Sequence, residues 1–187
     1  MSHKIEFMET KEESNSYPYL RATSRYGLYL GLILIGIQTI QYIAGLYEST
    51  VINGLSMSLF IAANVLIIRD FRDNSLNGWL KYGEGVKIGL MSSLAAGILT
   101  GAFMLLLILV IDKSIIDEIL IQMEEEMIES GAKEEEIELS LNFMGSNIWL
   151  FGLGPILQFG SIGLITSLIA SIFLRKNPDN SFDKDTQ

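Results

Sequence analysis

The sequence predicts an all-α integral membrane protein: four transmembrane helices, with an acidic helical hairpin outside the bilayer between spans three and four. Three observations predict it. Four windows carry no charge: 22 residues between Arg25 and Glu48, 20 between Glu48 and Arg69, 24 between Lys87 and Asp112, and 36 between Glu138 and Arg175. A bilayer core about 30 Å thick needs about 20 largely apolar helical residues, so each window is long enough to cross. Lysine and arginine cluster in alternate connecting segments, and acids crowd into one of the others. In 187 residues, 49% are hydrophobic and 19% charged, and the mean hydropathy of +0.37 is high for a soluble chain. A soluble globular domain, a disordered chain and a disulfide scaffold are excluded at this step.

The elements follow in chain order. Residues 1–25 form a polar tail that holds the single histidine, His3. The tail is too long and too polar for the start of a signal peptide, and no small-residue cleavage site follows the first apolar run. Span one, about 26–47, is therefore expected to be retained. It contains Gln38 and Gln41, three residues apart and on one face with Tyr42. Span two, about 51–68, carries an isolated Asn64. The segment 69–87 reads as a short interfacial turn: Trp79 and Tyr82 suit the headgroup level, and Gly78, Gly83 and Gly85 interrupt regular structure.

Span three, about 88–111, has small residues at every fourth position, Gly89, Ser93, Gly97 and Gly101, and an isolated Thr100. Segment 112–147 holds eleven acids against Lys113 and Lys133, a charge of −9 that equals the formal charge of the whole chain. Apolar residues recur in it at helical spacing (Ile115, Ile119, Met123, Met127), and Ser130-Gly131 reads as a helix stop. A second, shorter helix carries Ile137, Leu141 and Met144. Span four, about 148–174, repeats the small-residue stripe with Gly163, Ser167 and Ser171, and holds Gln158 and Pro155. A second polar tail, 175–187, ends the chain.

Orientation follows from the basic residues, which favour the cytoplasmic side. Eleven lie in the two tails and the 69–87 segment, and two in the connections on the other side. Both termini are therefore expected inside and the acidic hairpin outside.

Several short motifs resemble a known family: Arg69-Asp70 or Arg72-Asp73 after span two, then Gly78, Tyr82-Gly83 and Lys87-Ile88-Gly89-Leu90. Tyr26-Gly27 with Gly31, Glu129-Ser130-Gly131-Ala132 and Leu174-Arg175-Lys176 add to the likeness. Over residues 25–176 the sequence resembles domain-of-unknown-function family 4199, small four-span membrane proteins found mainly in Bacteroidota. The resemblance implies a bacterial inner-membrane protein and brings no activity, cofactor or catalytic residue with it.

The functional classes narrow by chemistry. Cysteine is absent and histidine is single, which removes thiolate nucleophiles, zinc ligand sets and Ser/His dyads. No span interior carries Asp, Glu, Lys, Arg or His, which argues against proton-coupled transport and intramembrane proteolysis. Gly83-x-Gly85-x-x-x-Gly89 has neither the spacing nor the preceding strand of a nucleotide loop. Nucleic-acid binding lacks a basic patch. No enzyme, cofactor or metal site is expected.

Three candidate sites remain. Glu124, Glu125, Glu126, Glu134, Glu135 and Glu136 form a solvated face, a docking surface for a protein partner, or a weak cation site. Gly89, Ser93, Gly97, Gly101, Gly163, Ser167 and Ser171 pack helices, either within one bundle or between copies in a homo-oligomer. Gln38, Gln41 and Gln158, of which Gln38 and Gln158 are placed near mid-membrane, either bond one helix to another or line a polar path. The leading expectation is a non-enzymatic structural or accessory subunit that sits in the lipid bilayer and binds a protein partner. The alternative is a small passive channel or carrier for a neutral solute or lipid.

Overall fold

The computed structural model describes residues 2–46 and 49–176, with backbone alone for 2–20 and 22. Among these residues there are six α-helices: α1 (Ser2–Ile43), α2 (Thr50–Ser75), α3 (Tyr82–Leu106), α4 (Ser114–Glu129), α5 (Glu134–Ser146) and α6 (Trp149–Leu174), with a π-helical turn, Leu107–Ile111, prolonging α3. No strand occurs among the described residues. Four stretches are long and apolar enough to cross a membrane: Thr23–Ile43, Thr50–Ser75, Tyr82–Ile111 and Trp149–Leu174.

Helix ends depart from the charge-defined windows in an instructive way. α1 starts within the polar tail, and its apolar part stops at Ile43, where Gly45 turns left-handed (φ 63°). Most of the second tail, 177–187, lies outside the described residues. The turn expected over 69–87 shrinks to 76–81, because α2 continues through Arg69 and Arg72 to Ser75, and α3 begins at Tyr82. Charged residues end an apolar window without ending a helix. Asn77 (φ 52°) and Gly78 (φ 84°) make the reversal between them. Gly83 and Gly85 lie inside α3, contrary to expectation; a side chain on Gly85 would collide with Ser171 of α6. The α3 start is secured by Glu84, whose Oε2 accepts from the Lys81 backbone N–H at 3.0 Å. At the end of α4, Gly131 takes the left-handed conformation (φ 79°), and the Ala132 N–H reaches back to the Met127 carbonyl at 3.0 Å. That is how glycine closes a helix.

The bundle is built around α3. Gly85, Gly89, Gly97 and Gly101 meet, in that order, Ser171, Ser167, Ile156 and Gly152, so α3 and α6 run antiparallel at backbone contact. Gly27 and Gly31 of α1 meet Ala95 and Leu99, so α1 runs parallel to α3. Small side chains supply this closeness, which in lipid stands in for a hydrophobic drive.

Three apolar layers stack along the bundle. The central one joins Leu30, Leu34, Phe60, Ala96 and Phe159, with the Phe60 and Phe159 ring centres 4.8 Å apart. One end is closed by Ile68, Phe71, Leu80, Ile88 and Ala170, the other by Leu107, Ile108, Ile115 and Phe151. At the first end Leu80 and Lys176 exchange backbone hydrogen bonds (3.0 and 2.9 Å), which holds the 76–81 turn against the end of α6. Arg69, Arg72, Lys81 and Lys87 gather at this end. The acidic helices α4 and α5 leave from the opposite one.

Candidate functional site

A cavity of about 200 Å³ opens where α1, α2, α3 and α4 meet at the acidic end. Gln38, Gln41 and Tyr42 contribute from α1, Asn53 from α2, Phe103, Met104 and Leu107 from α3 and its π turn, and Ile115 and Ile119 from α4. The first turns of α4 thus roof the space. An α-helix delivers Gln38, Gln41 and Tyr42 to one side because residues three and four apart share a face. The π turn, in which the Asp112 N–H reaches the Leu107 carbonyl at 2.9 Å, inserts an extra residue. Such insertions re-aim side chains and are frequent at functional sites.

Polar groups around the cavity are mostly engaged. Gln41 is buried, and its Nε2 donates to Asn53 Oδ1 (3.2 Å) and Ser56 Oγ (3.4 Å). Tyr42 Oη donates to Asp112 at 2.6 Å across the rim. Asp112 Oδ1 also accepts from the Ser114 backbone N–H (2.9 Å) and hydroxyl (2.7 Å) at the start of α4. The Ser114 hydroxyl, then Tyr42, hold the Asp112 carboxyl below its ordinary range. Gln38 differs: its Oε1 is buried and accepts nothing. An orphaned buried acceptor is costly to keep. Chemically the cavity offers amides and an apolar wall, suited to holding a neutral molecule.

Gln158 does not join this group. It is exposed on α6 and absent from the cavity lining. The span ends explain the separation. With the apolar part of α1 ending at Ile43, Gln38 lies five residues from the end, about 7.5 Å at 1.5 Å per residue, and Gln158 lies deeper.

The small-residue candidates come together inside one chain. Ser93 packs on Gly163 and Ser167 on Gly89. At their centre is Asn64, fully buried, whose Nδ2 donates to the Gly89 carbonyl (3.2 Å) and to Ser93 Oγ, while Ser167 Oγ donates to its Oδ1 (3.3 Å). One amide thereby binds α2, α3 and α6. In sequence Asn64 reads as an isolated polar residue that bonds one helix to another, with no partner named. Its signal was an amide in an apolar span, opposite two serine-bearing stripes.

All six candidate glutamates, Glu124–Glu126 and Glu134–Glu136, are exposed. α4 and α5 pack on each other and on the bundle end through Ile115, Ile119, Leu120, Met123 and Met144. Between them runs a groove of about 410 Å³ that includes Asp117, Ile121, Glu124 and Leu141. Among the described residues no group of three or more His, Cys, Asp or Glu side chains could hold a metal ion.

A family model described as protein of unknown function (DUF4199) matches residues 25–176, the stretch over which the sequence motifs run. No curated protein and no solved structure matches the chain.

Proposed function

The chain belongs to this family of unknown function, and from that premise we propose that it is a non-enzymatic accessory subunit of the bacterial inner membrane, docking a protein partner on α4 and α5. One observation carries the reading. Amid the exposed glutamates, large apolar side chains are exposed as well: Ile121, Ile128, Leu139 at 72% and Phe143 at 58%. Helices that leave the spans for water have no lipid to cover such residues. Apolar anchors ringed by charge are the make-up of a binding surface, and the ten acids of α4 and α5 select a basic partner and speed its approach.

The proposed orientation puts both termini in the cytoplasm and α4 and α5 outside. It is supported by the basic-residue count and by the gathering of Arg69, Arg72, Lys81 and Lys176 at one end of the bundle. The test is purification of the tagged full chain from its native membrane in mild detergent, with mass spectrometry of what accompanies it. A stoichiometric companion that is lost from the E124Q/E125Q/E126Q variant is the expected result. A companion-free homo-oligomer would overturn the reading.

A second reading, a small passive channel or carrier for a neutral solute or lipid, is favoured by the cavity around Gln38 and Gln41. It rests on two of the three glutamines, since Gln158 faces away. Its signature is solute flux in liposomes that disappears in a Q38L/Q41L variant.

A further inference from the structure

On the outside of the bundle, away from the cavity, α2 and α6 run side by side toward the basic end and leave an apolar groove of about 440 Å³ between them. Ile61 and Val65 form one wall, and Ile162, Ile165, Ile169 and Phe173 much of the other. From Ile162 to Leu174 it extends about 18 Å along α6 at 1.5 Å per residue. One leaflet's hydrocarbon is roughly 15 Å deep, so the groove is as long as one acyl chain in that leaflet.

The groove ends among charges. On α2, Arg69 follows Val65 by one turn and Arg72 by two. On α6, Arg175 and Lys176 follow Leu174 directly. Arg72 Nη1 donates to the Leu174 carbonyl at 3.4 Å, which sets the two groups side by side. Lys176 Nζ stands 5.8 Å above the Trp79 ring centre, and Trp79 and Tyr82 are residue types that settle at headgroup depth. Two carboxylates face the same region. Asp70 accepts from Tyr26 Oη (2.5 Å) and Asn74 (2.6 Å); Asp73 accepts from Arg72 at 2.7 Å and pairs with Arg69 at 3.7 Å. Four basic groups against two acids leave a positive excess. The Arg69 side chain remains 64% exposed, with donors to spare on its guanidinium.

We propose that this groove seats one acyl chain of an anionic phospholipid, whose phosphate is bound by Arg69, Arg175 and Lys176. Arginine forks match phosphate oxygens in pairs, and basic pockets between membrane helices are where anionic headgroups lodge. A zwitterionic lipid fills the groove equally well and gains less at its end. The proposal is independent of the partner-docking reading and of which end faces the cytoplasm.

The experiment uses the full chain, purified in mild detergent and relipidated with an equimolar mixture of phosphatidylglycerol and phosphatidylcholine of identical acyl chains. Lipid retained per chain is counted by native mass spectrometry. One retained phosphatidylglycerol per chain, preferred on the order of tenfold, is expected. Arg69→Gln with Lys176→Gln, both at exposed positions, brings the preference close to parity. Ile165→Trp fills the groove and removes the retained lipid with every charge in place. Equal retention of both lipids by the unmodified chain overturns the proposal, as does a preference that survives the double variant or a lipid that survives Ile165→Trp.

Discussion

Two residues carry more of this molecule than their sequence context suggests. Asn64 ties three helices with one amide. Asn64→Leu should lower stability by about 1–2 kcal/mol, the upper range for interhelical bonds in lipid, because it leaves Ser93 and Ser167 facing a hydrocarbon chain. Gln158→Leu, on the exposed side of α6, should stay within roughly 0.5 kcal/mol of the parent. Unfolding in mixed micelles compares the two; equal losses would contradict the Asn64 assignment. Asp112 joins the end of α1 to the start of α4 through Tyr42 and Ser114. Its carboxyl is held below the unperturbed 3.8, so its contribution is complete above that value. The contribution is lost as pH falls through the lower, folded-state value. Hydrogen exchange at the α4 start should therefore rise only below the normal carboxylate range, and Asp112→Asn should abolish that dependence.

At the level of the helices, backbone contact makes glycines unequal. A methyl on Gly101 would overlap the Gly152 carbonyl, which is backbone and cannot step aside; Gly101→Ala should cost about 1–3 kcal/mol. Gly54 has nothing within 4 Å, and Gly54→Ala should be neutral or stabilise by up to about 1 kcal/mol. Thermal unfolding of both variants in detergent checks the order, which a loosely packed bundle would not produce. The helices themselves were largely legible, since length and apolarity decide a span. Their ends were not, because Arg69 and Arg72 leave the apolar window while α2 continues to Ser75. Gly83 and Gly85 read as breakers by local preference; both are helical, and Gly85 is packed against Ser171 of α6. Which stripe meets which was open in the sequence, because periodicity names a face and never its partner. The π turn at Leu107–Ile111 has no sequence mark that spacing rules detect.

For the whole molecule, charge separates along the bundle, with basic residues at one end and acids on α4 and α5 at the other. A chain without cysteine allows a direct check of its proposed direction. Glu125→Cys should react with a membrane-impermeant maleimide in intact cells, and Lys81→Cys only after lysis. The reverse pattern would invert the orientation, and reaction of both in intact cells would undo the topology. The candidate sites were legible in part. Gln38 and Gln41 meet at one cavity because they share a helix face. Asn53, Phe103 and Ile119 came from three other helices, and no linear spacing connects them.

The contact between α3 and α6 also has a history during synthesis. Gly85 cannot meet Ser171 until α4 and α5 have been made and α6 has entered the membrane. At about 5–20 residues per second this is a wait of several seconds. Throughout that interval α3 shows lipid a strip of nearly bare backbone. A chain stopped at Ser146 is fixed in that state. It should be a preferred substrate of membrane proteases or be held by the insertion machinery, and pulse-chase of the truncated and full-length chains would show the difference as a shorter lifetime.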